Sequence, residues 1–300
     1  MQDLTPSLGT LTGMETPTTR ISRHESELGA WEMVSRDPDP RLRAHVRRYV
    51  GYLESGTRPL RRREMPSGDI VLILSFGPGI DVSEPTKPGT SARRVSFVAG
   101  LHDEYAVTEH DGVQHGVQVD LSPLGAFQFF GLPMSEVAHR VVDLEDVLGP
   151  GAPSLVEQLY EAPGWDARFT LLDSAIAARL GKHLPASPDV AWAWRRLTES
   201  EGRVTIGTLT EELGCSRRHL TARFREKVGM PPKTLARILR FERAVRRLRE
   251  DKEASLAAVA HECGYYDQAH FNRDFRRFAG LTPSEFLARL LPDGGGVSGA

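Results

Sequence analysis

The chain has 300 residues, a formal net charge of −2 and 40% hydrophobic residues. This composition excludes disorder over the whole length, and the length suits two domains of ordinary size. No apolar run in the sequence is long enough to span a bilayer, and the first residues do not resemble a secretory signal. We therefore expect a soluble cytoplasmic protein with no membrane partner.

The charges are unevenly distributed along the chain. Residues 191–292 contain 20 Lys and Arg against 13 Asp and Glu, whereas the remainder contains 18 against 27. A basic C-terminal third joined to an acidic N-terminal part indicates a module that binds a polyanion. A charged surface without any partner is the alternative.

The N-terminal half is predicted to be rich in strands. Residues 1–30 are rich in Thr, Ser, Pro and Gly, which predicts a flexible leader. From Trp31 to Leu148 the pattern favours strands, separated by Gly and Pro. The clearest strands are predicted over 70–74, 95–99 and 112–120, and helices over 125–130, 154–160 and 166–180. The basic run Arg61–Arg63 is interpreted as a solvated loop rather than a second nucleic-acid contact.

A linker with two prolines, residues 181–188, separates this half from a part that is helical throughout. Helix caps are predicted at Thr205 and Ser255, and Thr282 and Glu285 form a capping box. The glycines that begin at Gly294 predict a flexible tail over 293–300. The predicted helices span 188–201, 206–213, 217–228, 232–250, 256–263, 267–278 and 283–291.

The helical part repeats itself at a spacing of about 51 residues. Each copy reads as a short helix, a turn with glycine, a second helix with apolar residues four apart, and a Gly-x-x-Pro exit. This is a helix-turn-helix present twice. The matched pairs are 209–214 with 259–264, His219 with His270, Phe224 with Phe275, Gly229 with Gly280, and Pro232 with Pro283.

The second helix of each copy is predicted to bury its apolar face and expose the opposite one. Arginine pairs with guanine, and glutamine or asparagine with adenine, so the exposed faces suit reading of the major groove. The candidate DNA-binding residues on these faces are Arg217, Arg218, Thr221 and Arg225 in the first copy and Gln268, Asn272, Arg273 and Arg276 in the second. A helical bundle with merely solvated polar faces is the alternative.

Between the copies, residues 232–250 are predicted to form one helix of about 28 Å, at about 1.5 Å per residue. Its outer side carries several arginines. A helix of this size could present the two units to successive major-groove turns, which lie about 34 Å apart. The arginines of that side are Arg237, Arg240, Arg243, Arg246 and Arg247.

Residues 256–286 resemble the signature of the AraC/XylS family of bacterial transcription regulators, and the resemblance covers about 100 residues of the chain. It implies a seven-helix DNA-binding domain that controls transcription near promoters. Tyr266 departs from the family pattern, which usually has a small capping residue there, so Asp267 is predicted to cap instead. The exposed positions that match those used by the family against DNA are Arg217, Arg218, Thr221, Gln268, Asn272 and Arg273.

The N-terminal part resembles the sensory domains of such regulators more loosely. Residues 65–74 and 116–126 resemble segments of their cupin-like barrel. We therefore expect a multi-domain α+β protein with an N-terminal cupin-like β-barrel with helices and a C-terminal all-α domain of two helix-turn-helix units joined by a long helix. The expected boundaries are 1–30 for the leader, 31–182 for the effector or dimerisation domain, 183–292 for the DNA-binding domain and 293–300 for the tail.

Catalysis and metal binding are not expected. The sequence contains no phosphate loop, dinucleotide-binding fingerprint or nucleophile elbow, so we predict no catalytic residues and no cofactor. Five side chains could supply metal ligands inside a barrel, but they lack a close His-x-His pair, so no metal is predicted. They are His102, Asp103, Glu104, His110 and His115.

The predicted partner is double-stranded DNA at a promoter or operator. RNA polymerase, a small-molecule effector and a second copy of the chain are further candidate partners, and the residues that would bind an effector are unknown from the sequence. Two other classes stay open: an enzyme whose N-terminal barrel performs the chemistry, and a helical module that binds proteins.

Overall fold

The computed structural model describes residues 18–26, 29–56, 58–86, 89, 91–290 and 297–299. The strands, in chain order, are β1 (Thr19–Ser26), β2 (Gly29–Arg36), β3 (Val46–Gly56), β4 (Leu60–Glu64), β5 (Ile70–Ser75), β6 (Ile80–Ser83), β7 (Ala92–Arg94), β8 (Phe97–Ala99), β9 (Ala106–His110), β10 (Val113–Leu121), β11 (Val141–Asp143) and β12 (Val297–Ser298). The helices are α1 (Pro123–Phe130), α2 (Leu144–Leu148), α3 (Ala152–Glu161), α4 (Trp165–Leu180), α5 (Pro188–Glu199), α6 (Ile206–Glu212), α7 (Arg217–Val228), α8 (Pro232–Glu250), α9 (Leu256–Glu262), α10 (Gln268–Ala279) and α11 (Pro283–Ala288).

The described strands form two antiparallel sheets. One has seven strands in the order β1-β2-β3-β10-β5-β8-β11, and the other has five in the order β12-β4-β9-β6-β7. Alternate side chains of a strand point to opposite faces, so each sheet has an inner and an outer face. On β3, Tyr52 and Glu54 line a cavity between the sheets. Tyr49 lies on the other face and stacks on Phe169 of α4 with 5.6 Å between ring centroids.

Helix α4 is fixed to the outer face of the larger sheet by one carboxylate. Asp173 accepts hydrogen bonds from the Tyr49 hydroxyl at 2.9 Å and from the Asp39 backbone amide at 3.0 Å. It also pairs with Arg36, whose side chain is buried. A buried polar group of this kind is stable only when its partners are present, so the network defines one position for the helix on the sheet.

The C-terminal domain is all-α and is built around α8. Phe241 of α8 packs against Phe275 and Phe278 of α10, with ring centroids 5.1 and 5.2 Å apart. Phe275 in turn contacts Phe271 and Phe286. All five rings are fully buried, and aromatic rings of this size contribute much of the buried apolar area of a small domain. The second helix-turn-helix thus shares one core with the long helix.

The expected fold class is confirmed, with a β-rich N-terminal domain of two sheets and a helical C-terminal domain. The local predictions agree closely in the C-terminal part. The hydroxyl of Thr205 accepts a hydrogen bond from the Thr208 amide at 3.0 Å, and the capping box of Thr282 and Glu285 is complete. Ser255 lies at the start of α9 as predicted, but its side chain accepts no capping hydrogen bond. No helix in the described ranges combines the length and the apolar character that crossing a bilayer requires.

The prediction of a flexible leader over 1–30 is wrong from residue 19 onward. Strand β1 pairs with β2 along its whole length, from Thr19 opposite Arg36 to Ser26 opposite Gly29. These backbone hydrogen bonds do not require the apolar periodicity that the sequence lacks here. Residues 1–17 lie outside the described residues, as do 27 and 28.

Two further predictions need correction. Arg61–Arg63 lie in strand β4, which pairs with β9, and not in a loop. The tail predicted over 293–300 contains β12, where Val297 pairs with Arg63 and is buried. A single apolar residue among glycines does not form the alternating pattern of a strand. The segment pairs because the edge of β4 is available for backbone hydrogen bonds. Residues 293–296 and 300 lie outside the described residues.

Candidate nucleic-acid interface

The repeat folds as two helix-turn-helix units, α6 with α7 and α9 with α10. In each turn a glycine takes the left-handed conformation, with φ of 62° at Gly214 and 79° at Gly264. Glycine adopts this region without the steric cost that a Cβ imposes. The duplicated glycine of the sequence therefore has the same backbone role in both copies.

Both second helices begin with a side-chain cap. The Ser216 hydroxyl accepts from the His219 amide at 3.2 Å, and the Asp267 carboxylate accepts from the His270 amide at 2.6 Å. Asp267 thus caps α10 as predicted from the departure at Tyr266, which is 93% exposed. The cap at Ser216 was not predicted, although a serine directly before a helix is a recognisable signal.

The predicted apolar faces are buried in both units. Leu220 and Phe224 of α7 and Phe271 and Phe275 of α10 have almost no accessible surface. The opposite side of each helix then faces away from the core, although Asp274, between Phe271 and Phe275, is itself buried. The two α-helices present their outer faces as the sequence predicts.

The structure exposes most of the predicted DNA-binding residues. Six of the eight are exposed: Arg217, Arg218, Arg225, Gln268, Arg273 and Arg276. Thr221 and Asn272 are half-buried. The side-chain oxygen of Asn272 is buried and has no hydrogen-bond partner among the described residues, so this amide has unused capacity next to the exposed face.

Two sets of arginines in the domain differ in their contacts. The five on α7 and α10 that were predicted to face DNA, at 217, 218, 225, 273 and 276, make no ion pair within the described part of the chain. The arginines predicted to form a basic outer side on α8 are instead engaged within the protein. Arg237 pairs with Asp274, Arg240 donates to the Gly202 carbonyl, Arg243 and Arg246 pair with Glu201, and Arg247 pairs with Glu262 and Asp251.

An ion pair also joins each second helix to a neighbouring helix of the domain. Asp274 of α10 is buried and receives two hydrogen bonds from Arg237 of α8, from Nη2 at 2.7 Å and from Nε at 3.2 Å. The hydrogen bond to Asp274 raises the pKa of Arg237 above its ordinary value. At the equivalent position of α7, Arg223 pairs with Asp189 of α5 at 3.0 Å. Arg223 and Asp274 occupy equivalent positions of the sequence repeat. Because their charges are opposite, the sequence alone does not show that both side chains anchor a helix.

The candidate metal ligands are dispersed. His102, Glu104 and His110 line the cavity between the sheets, and Asp103 pairs with Arg277 of α10. His115 lies among the rings of Phe76, Tyr160 and Trp165. Within the residues that the structure describes, no group of three or more His, Cys, Asp or Glu side chains is arranged to hold a metal ion.

The C-terminal domain is therefore a double helix-turn-helix domain, and each second helix exposes arginines that make no ion pair within the described residues. Residues 209–289 match a family described as a helix-turn-helix domain, and residues 35–143 match a domain of unknown function, DUF6597. A Streptomyces lividans protein that carries the description AraC-like transcription regulator is 35% identical over 102 residues, which are 34% of this chain and 33% of that protein. The C-terminal domain is thus of the AraC type, and the resemblance found in the sequence is confirmed there.

A second relative is the HTH-type transcriptional activator RhaR of Pectobacterium atrosepticum. It is 31% identical over 128 residues, which cover 40% of this chain and 45% of that protein. The chain thus aligns with less than half the length of these relatives. Among solved structures, ToxT from Vibrio cholerae covers 91% of this chain and 98% of its own, with 12% identity and a TM-score of 0.47.

Proposed function

We propose that this protein is a sequence-specific DNA-binding regulator of transcription. Helices α7 and α10 enter neighbouring segments of the major groove, and the N-terminal domain modulates how they do so. Base edges are read by Arg217, Arg218, Thr221, Gln268, Asn272 and Arg273, while Arg225 and Arg276 contact phosphates or bases beside them.

The proposal is supported by the difference in ion pairing between the arginines of α8 and those on the exposed faces of α7 and α10. A carboxylate within ion-pair distance of an arginine neutralises part of its charge. Four arginines of α8 have such partners, whereas the five predicted to face DNA on α7 and α10 make no ion pair among the described residues. Guanidinium groups held on a rigid helix without internal partners are suited to phosphates and guanine edges.

Modulation by the N-terminal domain is supported by its contacts with both DNA-reading helices. Lys227, in the last turn of α7, lies over the ring of Phe127 of α1 with 4.2 Å to the centroid. Gly229, which ends α7 at φ of 100°, lies against the backbone of Met134, and a Cβ there would come within 3.1 Å of the Met134 carbonyl oxygen. The end of α7 is therefore closely packed on the N-terminal domain.

Helix α10 has the corresponding contact. Arg277 in its last turn pairs with Asp103 at 2.5 Å. Gly280, which ends the helix, lies against the ring of Tyr105, over which Arg63 also stacks at 4.8 Å. A change in the segment that contains Asp103 and Tyr105 would alter the position of α10. A small-molecule effector could act by this route; RNA polymerase and a second copy of the chain remain predicted partners.

Selection of bound sequences from random duplex DNA tests the proposal. We expect one preferred site, and Arg273→Ala is expected to cost about 1–3 kcal/mol of binding free energy on that site and to relax one base preference. Affinity is measured by titration at two salt concentrations, because phosphate contacts make binding salt-dependent.

Arg20→Ala, on the exposed face of β1, is the matched control and should leave the affinity unchanged. An equal loss on the selected site and on random duplex would make Arg273 a phosphate contact only. If the full chain binds no duplex with salt-dependent affinity, the proposal fails and a protein-binding helical module becomes the better interpretation.

A further inference from the structure

The turns of the two helix-turn-helix units differ in length by one residue. In the first turn the Cys215 amide donates to the Thr210 carbonyl at 3.1 Å, and the cap of α7, Ser216, follows immediately. The second turn has the equivalent hydrogen bond, from the Tyr265 amide to the Ala260 carbonyl at 2.9 Å. Tyr265 is therefore the structural counterpart of Cys215.

Tyr266 is the extra residue of the second turn, because the cap of α10 is Asp267 and not the residue that follows Tyr265. The two tyrosines have opposite environments. Tyr265 is 4% exposed, and its ring contacts those of His270 and Phe271. Tyr266 is almost fully exposed and makes no ring contact or hydrogen bond within the described part of the chain.

Single exposed apolar side chains are common on proteins, so the exposure of Tyr266 alone assigns no role to it. Its position does. In a helix-turn-helix the N-terminal end of the second helix is the end that reaches base edges in the major groove. Tyr266 directly precedes that end of α10, and Gln268 and Ala269 in the first turn of the helix are exposed beside it.

The charges at this end of α10 disfavour a phosphate as its partner. Residues 263–272 contain no Lys or Arg, and the exposed carboxylate of Asp267 repels a phosphate. Arg203 lies against Gly264 at the start of the turn, but its Nε donates to a backbone carbonyl of its own loop. Helix α7, in contrast, begins with Arg217 and Arg218 after a neutral cap. The end of α10 therefore suits uncharged base edges.

The side chains at this end of α10 match the groups that an A·T pair presents in the major groove. The C5-methyl group of thymine is the apolar feature of that groove, and aromatic or methyl-bearing side chains contact it, whereas glutamine pairs with adenine. The ring of Tyr266 and the methyl group of Ala269 are of the first kind, and the amide of Gln268 is of the second.

We propose that Tyr266 is a specificity-determining residue, whose ring packs on the C5-methyl group of a thymine at the edge of the DNA segment that α10 enters. This inference rests on the proposed function and adds a class of operator to it. In that class the segment read by α10 carries a thymine that is recognised through its methyl group.

Replacement of each thymine of the selected site in turn by uracil tests the inference, because uracil pairs with adenine as thymine does but lacks the methyl group. At one position we expect the replacement to lower the affinity of the parent chain about fourfold, the effect of one methyl group leaving a contact. The affinity of Tyr266→Ala should not change at that position.

Three variants define the contact on the unmodified site. Tyr266→Ala should bind the selected site about tenfold more weakly than the parent chain and random duplex equally well, because the whole ring leaves the contact. Tyr266→Phe keeps the ring and should bind as the parent does. Tyr160→Ala, which removes an exposed tyrosine of the N-terminal domain, is the matched control and should leave the affinity unchanged.

Three results would overturn the inference while the parent chain still binds its selected site: equal affinity of Tyr266→Ala and the parent; a loss in Tyr266→Phe as large as in Tyr266→Ala, which would mean that the hydroxyl makes the contact; or no uracil position that distinguishes the two chains. In each case the proposed function stands. A parent chain without salt-dependent affinity for duplex DNA would instead overturn the proposed function, and this inference with it.

Discussion

Replacing Asp274 by alanine is expected to lower the free energy of unfolding of the C-terminal domain by about 3–5 kcal/mol, because it leaves Arg237 half-buried without its partner. Asp274 is 4% exposed and receives both hydrogen bonds that fix α10 on α8. The measurement is urea-induced unfolding followed by circular dichroism. Specific DNA affinity should fall as well, since α10 loses its defined position.

Two comparisons separate this effect from general damage. Arg237→Met combined with Asp274→Leu removes both charges and should recover most of the lost stability, as apolar replacements of buried ion pairs often do. Asp251→Ala removes an exposed partner of Arg247 and an acceptor for the Glu253 amide, and should cost less than about 1 kcal/mol. Equal stability of Asp274→Ala and the parent chain would show that the ion pair does not hold the helix.

The second large effect concerns two carboxyl groups between the domains. Burial raises the pKa of Glu242 on α8 to about 7 and that of Asp69, at the cavity, to about 6, and the charge of Asp69 raises the pKa of Glu242 further. Arg47 pairs with Asp69 at 3.3 Å, and the charges of Arg48, Arg246 and Asp120 also act on this pair. At neutral pH the folded protein therefore carries negative charge on poorly solvated carboxylates, whereas water solvates the same carboxylates in the unfolded chain.

Glu242→Gln is accordingly expected to stabilise the protein by about 2–3 kcal/mol at pH 8 and by little at pH 5. The raised pKa means that the folded state binds a proton that the unfolded state has already released. The stabilising contribution of the proton bound to Glu242 is complete below about pH 4.5, the ordinary pKa of a glutamate. It is lost as the pH rises through about 7. Urea titrations at pH 5, 6, 7 and 8 measure the difference between the variant and the parent chain.

Glu250→Gln, an exposed change on the same helix, is the control and should show no such pH dependence. A difference that is the same at pH 5 and pH 8, or a Glu242→Gln variant less stable than the parent at pH 8, would contradict this interpretation.

The helical half of the fold could be predicted from the sequence because its signals are local. Helix α8 was predicted over its observed range, 232–250, since its apolar period, proline start and length agree with one another. The faces of α7 and α10 followed from the same periodicity. In the N-terminal domain, β5 and β10 were found for the same reason, because β-branched runs or strict alternation mark them.

The remaining features depend on pairing between distant residues. Strand β1 is polar and is defined by its register with β2, and the Arg62 of β4 matters only because β3 brings Glu54 beside it. The pairing of Arg237 with Asp274 joins residues that are 37 positions apart. No periodicity or motif encodes such a contact. The sequence therefore predicted the basic outer side of α8 but could not show that the arginines there bind groups of the protein itself.

In the proposed complex α7 and α10, held by one long helix, read two neighbouring segments of the same duplex. The most direct measurement is the affinity of the full chain for its selected site with five base pairs inserted between those segments. Five base pairs turn the second segment to the opposite side of a helix that repeats about every 10–10.5 base pairs. We predict that the affinity falls to that for random duplex. An affinity equal to that of the unaltered site would contradict the account.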